Sequence, residues 1–129
     1  TGYGIIARFQ GAAARVKSGD RNGAVVLYDK MAIDDGVDPI FQGLAQLQAI
    51  MLLIDDGAAE DLDRRLTPLL VDGAAGRYSA LEMQAVLKHR DGDTAGARAA
   101  FKALSEDAGA PKGMRSRATQ MLLTYGGEG

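Results

Sequence analysis

The single histidine is the first residue of this chain to consider as a catalytic or metal-binding group. His89 stands alone, so a multi-histidine metal site cannot form. A Ser–His–Asp triad would need a strained turn that exposes the nucleophile, and no Gly-x-Ser-x-Gly sequence occurs. His89 precedes Arg90 and Asp91 at the predicted end of a helix, where a cation interacts favourably with the helix dipole. We interpret it as a helix-end residue rather than a catalytic one.

Three adjacent acidic pairs are the remaining candidates for binding a divalent metal. They are Asp34-Asp35, Asp55-Asp56 and Glu60-Asp61. None has the alternating spacing of a calcium loop. The first two precede glycine at predicted helix ends, and the third opens a predicted helix, where acidic side chains are favourable. We therefore expect these pairs to be structural and predict no metal site.

Composition removes several other classes of function. The chain has no cysteine, which excludes disulfides, thiolate catalysis and cysteine-ligated zinc. No glycine-rich loop with Lys and Ser or Thr is present to hold a phosphate. The formal net charge is −2, so no broad basic field is available for nucleic acid. We predict that the protein is not an enzyme and uses no cofactor, no metal and no nucleic-acid partner.

The elements that carry these residues are all predicted to be helices. A hydrophobic content of 47% and a charged content of 25% are ordinary for a globular protein, and 129 residues fit a single domain, 1–129. Asp38 and Pro39 are typical of an N-cap and a first helical position. Pro68 should kink the last turn of its helix. The predicted helix pairs span about 3–36, 38–72 and 77–108, and a capping helix spans about 112–125.

A Gly-Asp sequence precedes two of the predicted helices. Glycine allows the tight turn between helices, and aspartate can cap the helix that follows. A weaker copy begins at Gly57, near the midpoint between Gly19 and Gly92. The intervals between these glycines are close to the period of about 34 residues of tetratricopeptide helix pairs, so we predict an all-α, tetratricopeptide-like right-handed α-solenoid. The matched positions are Gly19, Asp20, Ala24, Tyr28 and Met31 in one copy and Gly92, Asp93, Ala97, Phe101 and Leu104 in the other.

The order of several short segments resembles a narrower family. These segments are DP at 38–39, LLIDDG at 52–57, DRRLTPL at 63–69, GDTAGAR at 92–98, AP at 110–111 and RSRA at 115–118. Together they are similar to the tetratricopeptide-like domain of bacterial inner-membrane YfgM-type proteins, which are ancillary subunits of the Sec translocon. The resemblance covers nearly the whole chain, and its motifs are structural ones.

The resemblance implies a location and a set of partners. It implies a periplasmic, non-enzymatic protein-interaction or chaperone-like module, tethered to the inner membrane by a segment outside this chain. The partners would be protein or peptide clients, the Sec translocon and periplasmic chaperones. We expect such an upstream segment because the chain begins with Thr1, and we expect the chain itself to be soluble because its longest apolar run, 49–54, is far shorter than a membrane span of about 20 residues. The alternatives are a structural self-assembly domain and a cytosolic tetratricopeptide adaptor.

A peptide groove is the candidate functional site. In tetratricopeptide proteins the first helix of each pair lines the concave surface, which suits an extended or helical peptide. The alternative is that the same residues are core. The groove residues predicted from repeat position are Phe9, Ala13, Val16, Leu47, Met51, Ile54, Glu82, Val86 and His89.

The first helix also offers a candidate self-association edge. Ile5, Ile6 and Phe9 begin the chain with no earlier helix to cover them. Solenoid ends need a polar cap, so we expect this edge to be covered by a second copy of the chain in a homodimer. The alternative is that the first helix folds inward onto its neighbours.

Overall fold

The structure is a computed structural model that describes residues 2–126, with side chains from residue 4 onward. Within this range all regular secondary structure is helical, which confirms the all-α prediction. The elements are α1 (Gly2–Lys17), α2 (Arg21–Ala32), α3 (Pro39–Leu53), α4 (Ala59–Leu66), a 3-10 turn (Thr67–Leu69), α5 (Arg77–Arg90), α6 (Thr94–Glu106) and α7 (Lys112–Thr124).

The chain divides into two compact units. The N-terminal unit is Thr1–Leu53 and contains α1 to α3, and the C-terminal unit is Ile54–Gly129 and contains α4 to α7. In the first, α2 packs against both α1 and α3; in the second, α6 packs against both α5 and α7. The expectation of one domain over 1–129 stays a prediction.

The two Gly-Asp sequences form the helix starts that their chemistry predicts. Gly19 and Gly92 have φ angles of 87° and 84°, a conformation that a residue with a Cβ adopts only under strain. Asp20 and Asp93 are the N-caps of α2 and α6, and each carboxylate accepts a hydrogen bond of 2.9 Å from the backbone N–H three residues later. Short turns of this kind place consecutive helices antiparallel.

The helix start after Gly57 is built differently. Gly57 is not one of the described glycines with positive φ, and Ala58, the N-cap of α4, makes no side-chain cap bond. Pro68 acts as the sequence predicts: α4 ends at Leu66 and the chain continues as a 3-10 turn, because proline cannot donate to the carbonyl of Arg64. The weaker copy therefore shares the approximate spacing of the other two but not their turn chemistry.

Each unit has its own core among three helices. The core of the N-terminal unit contains Ile5, Ala12, Ala24, Val25, Tyr28, Met31, Val37, Ala45 and Ala49. The core of α5 to α7 contains Ala85, Ala97, Phe101, Leu104, Met114, Ala118 and Leu122. When the sequence is aligned with itself so that Gly19 matches Gly92, much of the two lists coincides, including Ala12 with Ala85, Ala24 with Ala97, Tyr28 with Phe101, Met31 with Leu104 and Ala45 with Ala118.

The same alignment extends to the loops before α3 and before α7. Asp34 accepts a hydrogen bond of 2.9 Å from the N–H of Gly36, and Asp107 accepts one of 2.8 Å from the N–H of Gly109. Each carboxylate closes a tight turn, after α2 in one unit and after α6 in the other. The internal similarity therefore covers three helices and two turns, beyond the helix start that the sequence motif marked.

Candidate interaction face

Helix α3 exposes a row of large apolar side chains in the N-terminal unit. Phe41, Leu44 and Met51 are 38%, 41% and 54% exposed. At 100° per residue these three positions fall within an arc of about 80°, so they point the same way. Phe41 is fixed by Phe9 of α1, since their ring centroids are 6.3 Å apart and Phe9 also lies 5.9 Å from the ring of Tyr28. The row therefore begins where α1 and α3 meet.

Helix α1 contributes a parallel row. Phe9, Ala13 and Val16 fall within an arc of about 60°. Phe9 is half-buried, Ala13 is exposed and Val16 is 41% exposed. Arg8 near the start of α1 bonds to Asp34 just after the end of α2, and Arg21 at the start of α2 bonds to Leu52 at the end of α3, so α1 and α3 are each antiparallel to α2 and run in the same direction. We call the six residues Phe9, Ala13, Val16, Phe41, Leu44 and Met51 the α1–α3 strip.

A cleft of about 540 Å³ lies at the Phe41 end of the strip. Inside it Arg8 donates a hydrogen bond of 2.7 Å to Asp34. The Arg8 guanidinium, with the N–H of Gly36, holds the pKa of Asp34 below its usual value. Asp38 caps α3 by accepting a bond of 2.9 Å from the N–H of Ile40. The cleft is lined by Gly4, Ile5, Arg8, Asp34, Gly36, Val37, Asp38 and Phe41.

The corresponding face of the C-terminal unit is polar. Arg117 of α7 donates two hydrogen bonds, of 2.8 and 2.9 Å, to the carboxylate of Glu82 on α5. This pairing raises the pKa of Arg117. One end of the face is closed by His89 and Tyr125, with 2.6 Å between the imidazole Nδ1 and the phenol oxygen. Arg98 stacks on the Tyr125 ring at 5.6 Å and donates to its backbone carbonyl. The polar side chains of this face therefore pair with one another, although the buried Nε of Arg98 has no hydrogen-bond partner among the described residues.

The predicted groove residues fall into three kinds of environment. Ala13, Val16, Met51, Val86 and His89 are exposed, and Phe9, Ile54 and Glu82 are half-buried. Leu47 is only 8% exposed, so it does not line an open surface. At 100° per residue Leu47 falls on the same side of α3 as the buried Gly43 and Ile50, nearly opposite the core residues Ala45 and Ala49. His89 lies in the last turn of α5, as predicted.

The predicted self-association edge is reduced by the structure. Ile5 belongs to the core of the N-terminal unit and is 8% exposed, because it lies on the same side of α1 as the fully buried Ala12. Phe9 is half-buried against Tyr28 and Phe41. Of the three edge residues, only Ile6, which is 57% exposed, presents an uncovered apolar side chain. Pairing with a second copy stays a prediction.

Phe41 and Leu44 are the strip residues absent from the predicted groove. Helix α3 is apolar on almost every side, so the spacing of apolar residues could not show which side is exposed. A usable signal was present in Phe41, which is the only aromatic residue of α3 and lies close to one repeat period after Phe9.

Residues 2–126 contain neither a cluster of metal-binding side chains nor a membrane-spanning helix. No group of three or more His, Cys, Asp or Glu side chains is placed to hold a metal ion there. None of the helices in that range combines the length and the apolar content that crossing a bilayer requires. Asp61, of the third acidic pair, accepts a bond of 3.0 Å from Arg65 in its own helix.

Comparisons with known proteins do not place the chain in a family. No protein-family model, no curated protein and no solved structure was found to match it. The resemblance to YfgM-type proteins therefore stays a prediction from the sequence motifs.

Proposed function

We propose that this protein is a non-enzymatic interaction module that binds an apolar segment of another protein along the α1–α3 strip. The observation that carries the proposal is the row of Phe41, Leu44 and Met51, which are 38–54% exposed on one side of α3. Single exposed apolar residues are normal, but a contiguous apolar patch usually marks an interaction site. Phe9 and Val16 extend this patch onto a second helix.

We also propose that the fold is of the tetratricopeptide-like, right-handed solenoid type. The Gly-Asp helix starts and the small and aromatic residues that follow support this proposal. The interval from Gly19 to Gly92 is close to twice the period of about 34 residues that this repeat type has. A location on the periplasmic side of the inner membrane, with the Sec translocon or chaperones as partners, is proposed on the sequence resemblance alone.

Self-association is the second candidate function. Ile6 of α1 is 57% exposed, and Ile40 at the start of α3 is 65% exposed. A structural self-assembly domain would cover these two side chains with another copy of the chain. Sedimentation velocity of the parent and of Ile6→Glu separates this candidate from peptide binding, because only self-association makes the parent's sedimentation depend on concentration and on Ile6.

A neutral model peptide tests the proposed function directly. The probe is a fluorescein-labelled helical dodecapeptide with Leu and Ala on one side and Gln and Ser on the other. We expect Leu44→Glu to weaken binding at least about tenfold. A charge in the centre of an apolar contact lowers the favourable free energy of binding by more than about 1.4 kcal/mol. The matched control is Val26→Glu on α2, which is 51% exposed and lies outside the strip. It should leave the affinity unchanged.

Circular dichroism of both variants checks that the helices persist. A parent protein that does not bind the peptide, or a Leu44→Glu variant that binds as well as the parent, contradicts the proposed function.

A further inference from the structure

We propose that the partner of the α1–α3 strip is an amphipathic helix with a basic residue at one end and an acidic residue at the other, about nine residues apart. The inference rests on the proposed function and adds the charge pattern of the segment that the strip receives. It is based on two charged side chains, Asp38 and Lys17, at opposite ends of the strip.

Asp38 gives the cleft end of the strip a net negative charge. The other ionic groups that line the cleft, Arg8 and Asp34, neutralise each other in an ion pair of 2.7 Å. The Asp38 carboxylate caps α3 through one oxygen, and among the described residues it has no cationic partner. The neighbouring Phe41 ring is 38% exposed in the same cleft. A carboxylate beside an aromatic face suits a Lys or Arg side chain, which can pair with one and stack on the other.

Lys17 gives the opposite end a positive charge. It lies one turn beyond Ala13 on the same side of α1 and is exposed. Arg15, the other cation in the last turn of α1, is paired with Asp20 at 2.8 Å, whereas no acidic partner of Lys17 occurs in the described part of the chain. An acidic side chain of a partner is therefore attracted to this end.

The separation of the two charges sets the spacing on the partner. Arg8, which lines the cleft with Asp38, precedes Lys17 on α1 by two and a half helical turns, which rise by about 14 Å. A partner helix that packs along the strip covers the same distance in about nine residues. The apolar rows run along α1 and α3, so a helix of the partner can pack lengthwise against both of them.

Four helical probe peptides test this charge pattern. All share the apolar face of the neutral peptide, and positions 2 and 11 carry Gln/Gln, Lys/Gln, Gln/Glu or Lys/Glu. At low salt we expect each added charge to tighten binding about two- to fivefold and Lys/Glu to bind about tenfold more tightly than Gln/Gln, as for exposed ion pairs. The preference should disappear in about 1 M NaCl, where the Debye length falls to about 3 Å.

Two variants assign the charges to their ends. Asp38→Asn keeps a good N-cap but removes the charge. With Asp38→Asn, peptides with Lys at position 2 should no longer bind more tightly than those with Gln there, whereas Glu at position 11 should still strengthen binding. With Lys17→Gln, Lys at position 2 should still strengthen binding, whereas Glu at position 11 should not. Asp55→Asn in the C-terminal unit is the matched control and should change neither preference. Because each comparison is a double-mutant cycle, differences in helicity among the peptides cancel.

The outcomes separate this inference from the proposed function. Equal binding of all four peptides, with all of them sensitive to Leu44→Glu, overturns the charge pattern and leaves the proposed function standing. The same holds if Asp38→Asn weakens the four peptides equally. Failure of every peptide to bind the parent overturns both. A concentration-dependent dimer that excludes the peptides assigns the strip to a second copy and also overturns the inference.

Discussion

Helices α1 to α3 and helices α5 to α7 have the same interior and different exteriors. When Gly19 is aligned with Gly92, Tyr28 corresponds to Phe101, and both are buried. The same alignment matches Phe9 with Glu82 and Leu44 with Arg117. Phe9 and Leu44 belong to an apolar strip, whereas Glu82 and Arg117 form a bidentate ion pair. One helical arrangement thus presents an apolar surface in one unit and a surface with a paired Glu and Arg in the other.

The difference shows at which positions the packing restricts the residue type and at which it does not. A buried aromatic side chain removes a large apolar area from water, so its replacement is costly in either unit. An outward position is constrained far less, because an exposed ion pair contributes only about 0–1 kcal/mol. An apolar partner on the C-terminal face would have to desolvate Glu82 and Arg117, which the Phe9 and Leu44 face does not require.

The largest expected effect concerns the shared interior. Tyr28→Ala and Phe101→Ala should each destabilise the protein by about 3–5 kcal/mol, because each leaves a cavity among three helices. Urea unfolding measures the loss. Phe41→Ala is the control: the ring is the same as in Phe101, but it is 38% exposed against 1%, so the loss should be clearly smaller. A clearly smaller loss in Tyr28→Ala than in Phe101→Ala would contradict the equivalence of the two interiors.

An exchange of the exteriors should have a smaller effect on stability and a decisive one on binding. Phe9→Glu/Leu44→Arg installs on the N-terminal unit the ion pair of the C-terminal unit. We expect a loss of about 1–2 kcal/mol, because Phe9 is only half-buried, together with complete loss of binding of the neutral helical peptide. Fluorescence anisotropy and urea unfolding measure the two effects.

The control for this exchange is Glu82→Gln/Arg117→Gln, which removes the ion pair of the C-terminal unit. It should leave peptide binding unchanged. If instead it abolishes binding, the C-terminal face takes part in recognition, and the contrast between the two exteriors is incorrect.

The all-helical class and several helix boundaries were predictable because local chemistry sets them. Gly19 and Gly92 need a positive φ, the aspartates that follow them cap the next helix, and Pro68 ends a run of backbone hydrogen bonds. These effects depend on near neighbours along the chain, so they can be recognised without knowledge of the tertiary structure.

The exposed side of α3 could not be predicted in this way. Leu44 and Leu47 are chemically alike, and the helix is apolar on nearly every side. What separates them is tertiary: Leu47, which is 8% exposed, falls on the side of α3 that carries the buried Gly43 and Ile50, whereas Leu44, one turn earlier, is 41% exposed. The three-helix similarity was hidden for a related reason, since its outward positions, such as Phe9 and Glu82, share no chemistry.

The smallest expected effect compares the two equivalent turn carboxylates, Asp34 and Asp107, through their different partners. Arg8 and the N–H of Gly36 lower the pKa of Asp34. Its contribution to stability is therefore complete above the ordinary aspartate pKa of about 3.9 and is lost as the pH falls through the lower folded-state pKa. Arg8→Gln should raise the pKa of Asp34 and diminish this loss, as carboxyl NMR titration and acid unfolding can measure.

Asp107 instead accepts a hydrogen bond of 3.2 Å from the hydroxyl of Tyr78. Burial, with the hydrogen bond to Asp107, raises the pKa of Tyr78. A raised folded-state pKa gives a contribution that is complete below the ordinary tyrosine pKa of about 10 and is lost as the pH rises through the raised value. Tyr78→Phe should remove this loss of stability at alkaline pH and leave the stability at acid pH unchanged. Arg8→Gln should change the dependence of stability on pH only in the acid range. If either variant changes the stability equally in the acid and the alkaline range, the two turns do not titrate independently. Different partners of equivalent carboxylates would then not explain how each unit responds to pH.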